Sequence, residues 1–321
     1  MIERYDRQLA YLFVETAAYL PLTLSAPEIS KLGLTFFDNA SEVFPLICPD
    51  HFSLLKIRLE SSELSWDIFH FDKSTNTVVF KNMATLALFS ERIYGSYEEE
   101  LGAALVNTLD LQFPKLENTI IAHMPVSVDV LQNLARSTRK SIVFSGPLAS
   151  MVAMLDRPIR GLEYIELRWD SKFYLYEADN FVRLSNEALG RTAGIEWVNF
   201  TLRCKVPEFA LTGINWTHVT VLSLEIPLSF STLLPAVLAM PNLVKLTIDV
   251  EDCEEEELIT AVEYLFNIRE YFAEPSTTKI TNLRIFCLDG PAYLRLEEQI
   301  PLKAAFEMLT WLIPGAAIEF S

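Results

Sequence analysis

The sequence predicts an α/β fold: a curved parallel sheet on the inside, helices on the outside, built from irregular stacked units. Two observations predict it. The window L-x-x-L-x-L, with Val, Ile or another apolar residue allowed for Leu, recurs along the 321 residues. Between its copies lie segments whose apolar residues keep helical spacing, and that alternation builds a parallel sheet. Composition agrees. Hydrophobic residues make up 50% of the chain, aromatics 12% and charged residues only 21%, which suits a packed core rather than disorder.

The clearest unit runs from Val219 to Val250. Windows Val219–Leu224 and Leu243–Ile248 flank a helical segment around Phe230 to Met240, closed by Pro241-Asn242. In chain order the other windows begin with Ile29–Leu34, Leu54–Leu59 and Met83–Leu88. Leu116–Ile121 carries Thr119 at a core position, and Arg139–Phe144 keeps only Ile142 and Phe144. Leu162–Leu167, Ile195–Phe200 and Ile280–Ile285 match cleanly, and Ile313–Ile318 is degenerate. Successive windows start about 23 to 37 residues apart, one strand–helix unit each, some with insertions.

The spacers read as helices. Asp38 to Ile47 is apolar at helical spacing. Ser96 and the acids Glu98 to Glu100 open a helix over Leu101 to Leu111, since free N–H groups and the positive dipole end favour them. Ser127 to Ala135 and Ala149 to Leu155 are short helices. The acids Glu254 to Glu257 lead into Leu258 to Phe272, and Pro301 starts a last helix to about Leu312.

Positions 1, 4 and 6 of each window point between the strand and helix layers. One unit cannot bury that face alone; stacked units share a continuous core. End units must cap it. The expected organisation is an N-terminal helical cap over 1–28, which contains the mostly apolar helical stretch Met1 to Ala26, and a repeat domain over 29–321 that ends in its own cap, Ala304 to Ser321.

With these windows the chain resembles the leucine-rich-repeat superfamily, and most of all the irregular arrays that form the recognition part of F-box proteins. The resemblance covers about Ile29 to Ile318. It implies a solenoid that binds a protein on its concave sheet. The family's ninth-position Asn or Cys is replaced by Phe37, Ser62, Glu91, Met124, Asp170, Arg203, Pro227 and Glu251, which implies a less regular curvature. The F-box itself is not visible ahead of the repeats; the one piece that resembles it is Leu20-Pro21-Leu22.

Several chemistries lack their residues. There is no G-x-x-x-x-G-K-S/T and no G-x-G-x-x-G, so no phosphate cradle and no cofactor is expected. Ser145-Gly146-Pro147 lacks the glycines of a nucleophile elbow. His51, His70, His123 and His218 are scattered, so no metal site is expected. The acids around Glu254 lack the EF-hand pattern and read as a helix start. A net charge of −17 without a basic stripe argues against nucleic acid. No run reaches about 18 uninterrupted apolar residues, so no membrane span is expected, and the first residues do not resemble a signal peptide. Cys48, Cys204, Cys253 and Cys287 form no C-x-x-C pair and read as buried thiols of a reducing compartment, cytoplasm or nucleus.

The candidate surface is the strand face that alternates with the core positions. Its central group is Tyr164, Glu166, Arg168, Trp197, Asn199, Thr201, Glu225 and Lys245. Tyr164 and Trp197 fall at the same window position in neighbouring units, and Tyr, Trp and Arg are the usual interface anchors. The expected function is recognition of a protein partner on this face without catalysis, with the resemblance implying the substrate-recognition subunit of a ubiquitin ligase. The alternative is an α/β enzyme such as a hydrolase, which a converging Ser/His/Asp cluster would support. A third reading, a purely structural domain, implies a small polar face.

Overall fold

Apolar windows of five to seven residues flanked by turn residues pair side by side as parallel strands. The computed structural model describes residues 11–16, 31–36, 53–59, 77–79, 81–90, 110–123, 128–156, 159, 161–203, 211–225, 230–249, 260, 263–286 and 302–320. The chain groups into two compact units, Met1–Ile165 and Glu166–Ser321.

The first unit contains β1 (Tyr11–Thr16), β2 (Lys31–Phe36), β3 (Leu54–Leu59), β5 (Thr85–Ser90), β7 (Asn118–Ala122) and β8 (Ser141–Ser145), side by side in that order. All of these pairs are parallel. Two further strands, β4 (Thr77–Val79) and β6 (Asp110–Gln112), form a separate parallel pair. Helix α1 (Val128–Ser137) lies between β7 and β8, and α2 (Leu148–Met154) follows β8.

The window residues fall in rungs across the strands. Leu12, Leu32, Leu55, Leu86, Thr119 and Ile142 are successive partners, and so are Val14, Leu34, Ile57, Leu88, Ile121 and Phe144. Leu86, Leu88, Ile121, Ile142 and Phe144 are buried, as are Leu131, Leu134 and Ala135 of α1. Thr119 keeps its place in this rung because its hydroxyl lies 2.6 Å from that of Thr138, which in turn donates to Leu134 O at 2.7 Å. Thr138 has one hydroxyl proton, so Thr119 is the donor of the pair.

The second unit contains β9 (Tyr164–Asp170), whose first two residues belong to the first unit, then β10 (Trp197–Arg203), β11 (Val221–Glu225), β12 (Lys245–Asp249), β13 (Asn282–Phe286) and β14 (Ala317–Phe320). Strand order again follows the sequence, and β10 to β14 pair in parallel. After β9 come α3 (Ser171–Tyr174), capped by the Asp170 carboxylate on Lys172 N, a 3-10 turn (Leu175–Asn180) and α4 (Phe181–Gly190). Later elements are a second 3-10 turn (Trp216–His218), α5 (Phe230–Leu238), α6 (Ile268–Tyr271) and α7 (Leu302–Leu312). Pro235 sits inside α5. One strand face is sealed: Val198, Phe200, Leu202, Leu222, Leu224, Leu246, Ile248, Leu283 and Ile285 are all buried. The apolar sides of α4, α5 and α7, with Leu189, Leu234 and Leu309, are buried as well.

Three expectations are corrected. Residues Tyr11–Thr16, inside the expected helical cap, form a strand. Tyr-Leu-Phe-Val-Glu-Thr is rich in aromatic and β-branched residues and finds a parallel partner in β2. The expected helix over Leu101 to Leu111 ends in a strand, because Leu111 pairs with Val78 in β4–β6; its earlier part lies outside the described residues, as does the expected helix over Asp38 to Ile47. The windows at Leu54, Ile195 and Ile313 are each displaced by two residues. Leu55 pairs with Leu86, Phe200 with Leu222, and Ile318 with Leu283. A slip of two preserves which face each side chain occupies and changes only its neighbours across the sheet.

Candidate functional site

The candidate face of the second unit is set by strand alternation. With Phe200, Leu222, Leu246 and Leu283 turned into the core, the residues between them must point to the opposite side. Register orders these residues in rows. Asn199, Val221, Lys245 and Asn282 form the first row, Thr201, Ser223, Thr247 and Arg284 the second, and Arg203, Glu225, Asp249 and Phe286 the third. Ser223, Thr201 and Thr247 are half-buried, so the middle of the face is a shallow strip of hydroxyls.

Charges frame this strip. Arg168 Nε lies 2.5 Å from Glu166 Oε1, which also accepts from Thr201 Oγ1 at 3.4 Å. Glu166 is buried, at 7% exposure, while the Arg168 side chain is half exposed. Arg203 Nε meets Glu225 Oε2 at 2.5 Å, and Arg284 meets Glu319 at 3.4 Å. The first pair lies within β9, whereas the other two join β10 to β11 and β13 to β14.

Trp197 stands one step before the first row because β10 starts two residues earlier than its neighbour. Val198 N donates to Thr220 Oγ1 at 2.9 Å and Thr220 N donates to Val198 O at 2.9 Å, which adds Val198 to the core and turns Trp197 outward. The indole is 36% exposed and is the one exposed large apolar side chain on the described strand residues. Its N–H donates to Glu196 Oε1 at 3.2 Å, and Lys245 Nζ lies 5.8 Å from its ring centroid. The ring is therefore held from its edge and from one face.

Of the sequence candidates, this unit brings together Glu166, Arg168 and Thr201 in one cluster and Trp197 with Lys245 in another. Asn199 is buried at the start of the first row, and Glu225 stands second in the third. Tyr164 belongs to the first unit, where it is half-buried and its N–H donates to Lys140 O at 3.0 Å. The two-residue displacement of the Ile195 window keeps Trp197 out of the row of Val221 and Lys245, where the register places Asn199. Sequence reading missed Arg203 as part of this face, although alternation from Thr201 points to it.

It also missed a contact in the first unit. His123, read as isolated, has its Nε2 3.2 Å from Ser145 Oγ, and its N–H donates to Ser145 O at 2.8 Å. Both residues end adjacent parallel strands, and His123 adopts φ 54. Ser145 is 6% exposed. Gly146 follows without a side chain because a Cβ there would stand 2.7 Å from the Phe144 ring.

Among the described residues, no group of three or more His, Cys, Asp or Glu is placed to hold a metal ion, and no helix is long and apolar enough to cross a membrane. The chain matches no model of a known protein family, and a search of curated proteins finds no similar sequence.

Proposed function

We propose that this chain is a leucine-rich-repeat recognition module that holds a protein partner on the outward face of its parallel strands. The observation behind this reading is Trp197, an exposed indole contacted by Glu196 at its edge and by Lys245 over its ring on a mainly polar sheet face. A preset aromatic loses little freedom on binding and offers a large apolar area, as interface anchors do. The strip of small hydroxyls beside it leaves room for an approaching chain. The strand order supports the same reading: within each unit it follows the sequence without reversal, so neither has the switch-point crevice where open α/β enzymes bind substrates. Through its resemblance to the recognition part of F-box proteins, the substrate-recognition subunit of a ubiquitin ligase is the first assembly to test.

The test is affinity capture from native cell extract, with wild type beside Trp197→Ala and circular dichroism to verify the fold of the variant. Proteins held by wild type and lost from the variant support recognition by this face. A cullin-adaptor protein among the retained proteins supports the ligase role. Identical retention by both assigns Trp197 a structural role.

A second reading, a hydrolase-type enzyme, is favoured by the Ser145–His123 contact at the carboxyl ends of β7 and β8. A histidine nitrogen beside a serine hydroxyl is the start of a nucleophile–base pair. The near-complete burial of Ser145 weighs against it. Covalent labelling of Ser145 by a fluorophosphonate, lost in His123→Ala, would favour the enzyme; an unlabelled serine leaves the pair as a tie between two strand ends.

A further inference from the structure

We infer that the partner segment presents an Asp or Glu side chain to Lys245, next to an apolar residue that packs on Trp197. This rests on the protein-recognition reading above and adds the chemistry of the occupant. The observation is an asymmetry among the cations of the face. Arg168 pairs with Glu166, Arg203 with Glu225, and Arg284 with Glu319. Lys245 is exposed and, among the described residues, has no carboxylate within ion-pair distance; its neighbour is the Trp197 ring. In a chain with 43 acids and 26 basic residues, a cation on a strand face without an acid beside it is the local exception.

The geometry supplies the rest of the pocket. In the rows around Lys245 the nearest strand partners are Val221 and Asn282, neither of them charged. A carboxylate there meets an ammonium that lies 5.8 Å from the centroid of an indole. The adjoining Ser223 and Thr247 hydroxyls, in the next row, can bond the peptide groups of an extended segment. The chain's net charge of −17 acts against an acidic segment only at long range, because at physiological ionic strength charges beyond about 8 Å are largely screened. At contact the local cation decides.

The probe is a phage-displayed library of random dodecapeptides, selected on the full chain as wild type, Lys245→Gln, Lys245→Glu and Trp197→Ala. Lys245 is exposed, so its replacements keep the fold, and circular dichroism verifies this. Wild type is expected to enrich peptides with Asp or Glu beside an apolar residue. Replacing Asp by Asn in a resynthesised peptide is expected to weaken binding about fivefold, the upper range for an exposed ion pair. Lys245→Glu is expected to lose the acidic peptides by about tenfold and to enrich Lys- or Arg-containing ones instead. Enriched peptides with no acidic preference that still require Trp197 would overturn this inference and leave the recognition reading standing. Enrichment by none of the proteins above a blank surface would overturn both.

Discussion

The Lys245 ammonium lies 5.8 Å from the centroid of the Trp197 ring although β11 runs between their strands. Neighbouring strands are about 4.8 Å apart, so the two side chains must lean toward each other over Val221. Such an exposed cation–π contact contributes about 0.5–1 kcal/mol. Lys245→Gln, which removes mainly this contact, is therefore expected to change unfolding free energy by about 1 kcal/mol or less, read by urea titration. Trp197→Ala also loses the apolar area its ring buries and should cost more stability; it should weaken partner binding by about 2 kcal/mol or more, as removal of an interface anchor does. Unchanged binding by a folded Trp197→Ala would make Trp197 a packing residue.

Arg203 and Glu225 test how much the ion pairs of the face stabilise the sheet. Their side chains are 57% and 28% exposed, so water and salt screen them. A double-mutant cycle with Arg203→Met and Glu225→Gln is expected to give a coupling below about 1 kcal/mol that fades in high salt. A coupling above that range would mean the pair is a main tie between β10 and β11.

The two buried threonines of the first unit should respond unequally. Thr119→Val removes a donor and leaves Thr138 bonded to Leu134 O, at a cost of about 1 kcal/mol. Thr138→Val instead strands the buried Thr119 hydroxyl, at about 1–3 kcal/mol. Chemical denaturation of the two variants reads the order directly, and the reverse order would reassign the donor.

Alkaline stability follows from two groups. The hydrogen bond from Lys140 Nζ to Glu117, 2.7 Å long, and then the charge of Glu117 raise the Lys140 pKa above 10.5. Burial, and then Tyr271, raise the Tyr264 pKa above 10.0. In both cases the folded state holds its proton more tightly than the unfolded chain. Their contributions are whole below the unfolded pKa values and are lost as pH rises through the folded ones. Thermal midpoints should thus fall above about pH 10, less steeply in Glu117→Gln. An unchanged pH slope in that variant would remove Lys140 from the account.

Much of this strand array was legible because burial of alternate residues leaves a direct trace in the sequence. Leu246 and Ile248, Leu283 and Ile285, and Leu222 and Leu224 announce both strand and face. The window Leu9-x-x-Leu12-x-Val14 was equally regular, but its neighbours Tyr11 and Phe13 are apolar too, which hides a period of two. Where Val198, Phe200 and Leu202 all alternate, the sequence allows two placements, and only pairing across the sheet chooses between them. The placement of residues on the candidate face was legible to the same depth. Alternation put Trp197, Thr201 and Lys245 on one face, while the Lys245–Trp197 contact depends on cross-strand register. The Ser145–His123 contact joins residues from separate strands, at a turn where His123 takes a positive φ that no local pattern announces.

The most direct measurement of the central claim is photo-crosslinking in cells with p-benzoylphenylalanine placed at Ser223, in the hydroxyl strip, or at Arg183, exposed on α4. A protein adduct is expected from position 223 that disappears when Trp197→Ala is added, and none is expected from position 183. An adduct from position 183 alone would contradict this and move the binding surface to the helices.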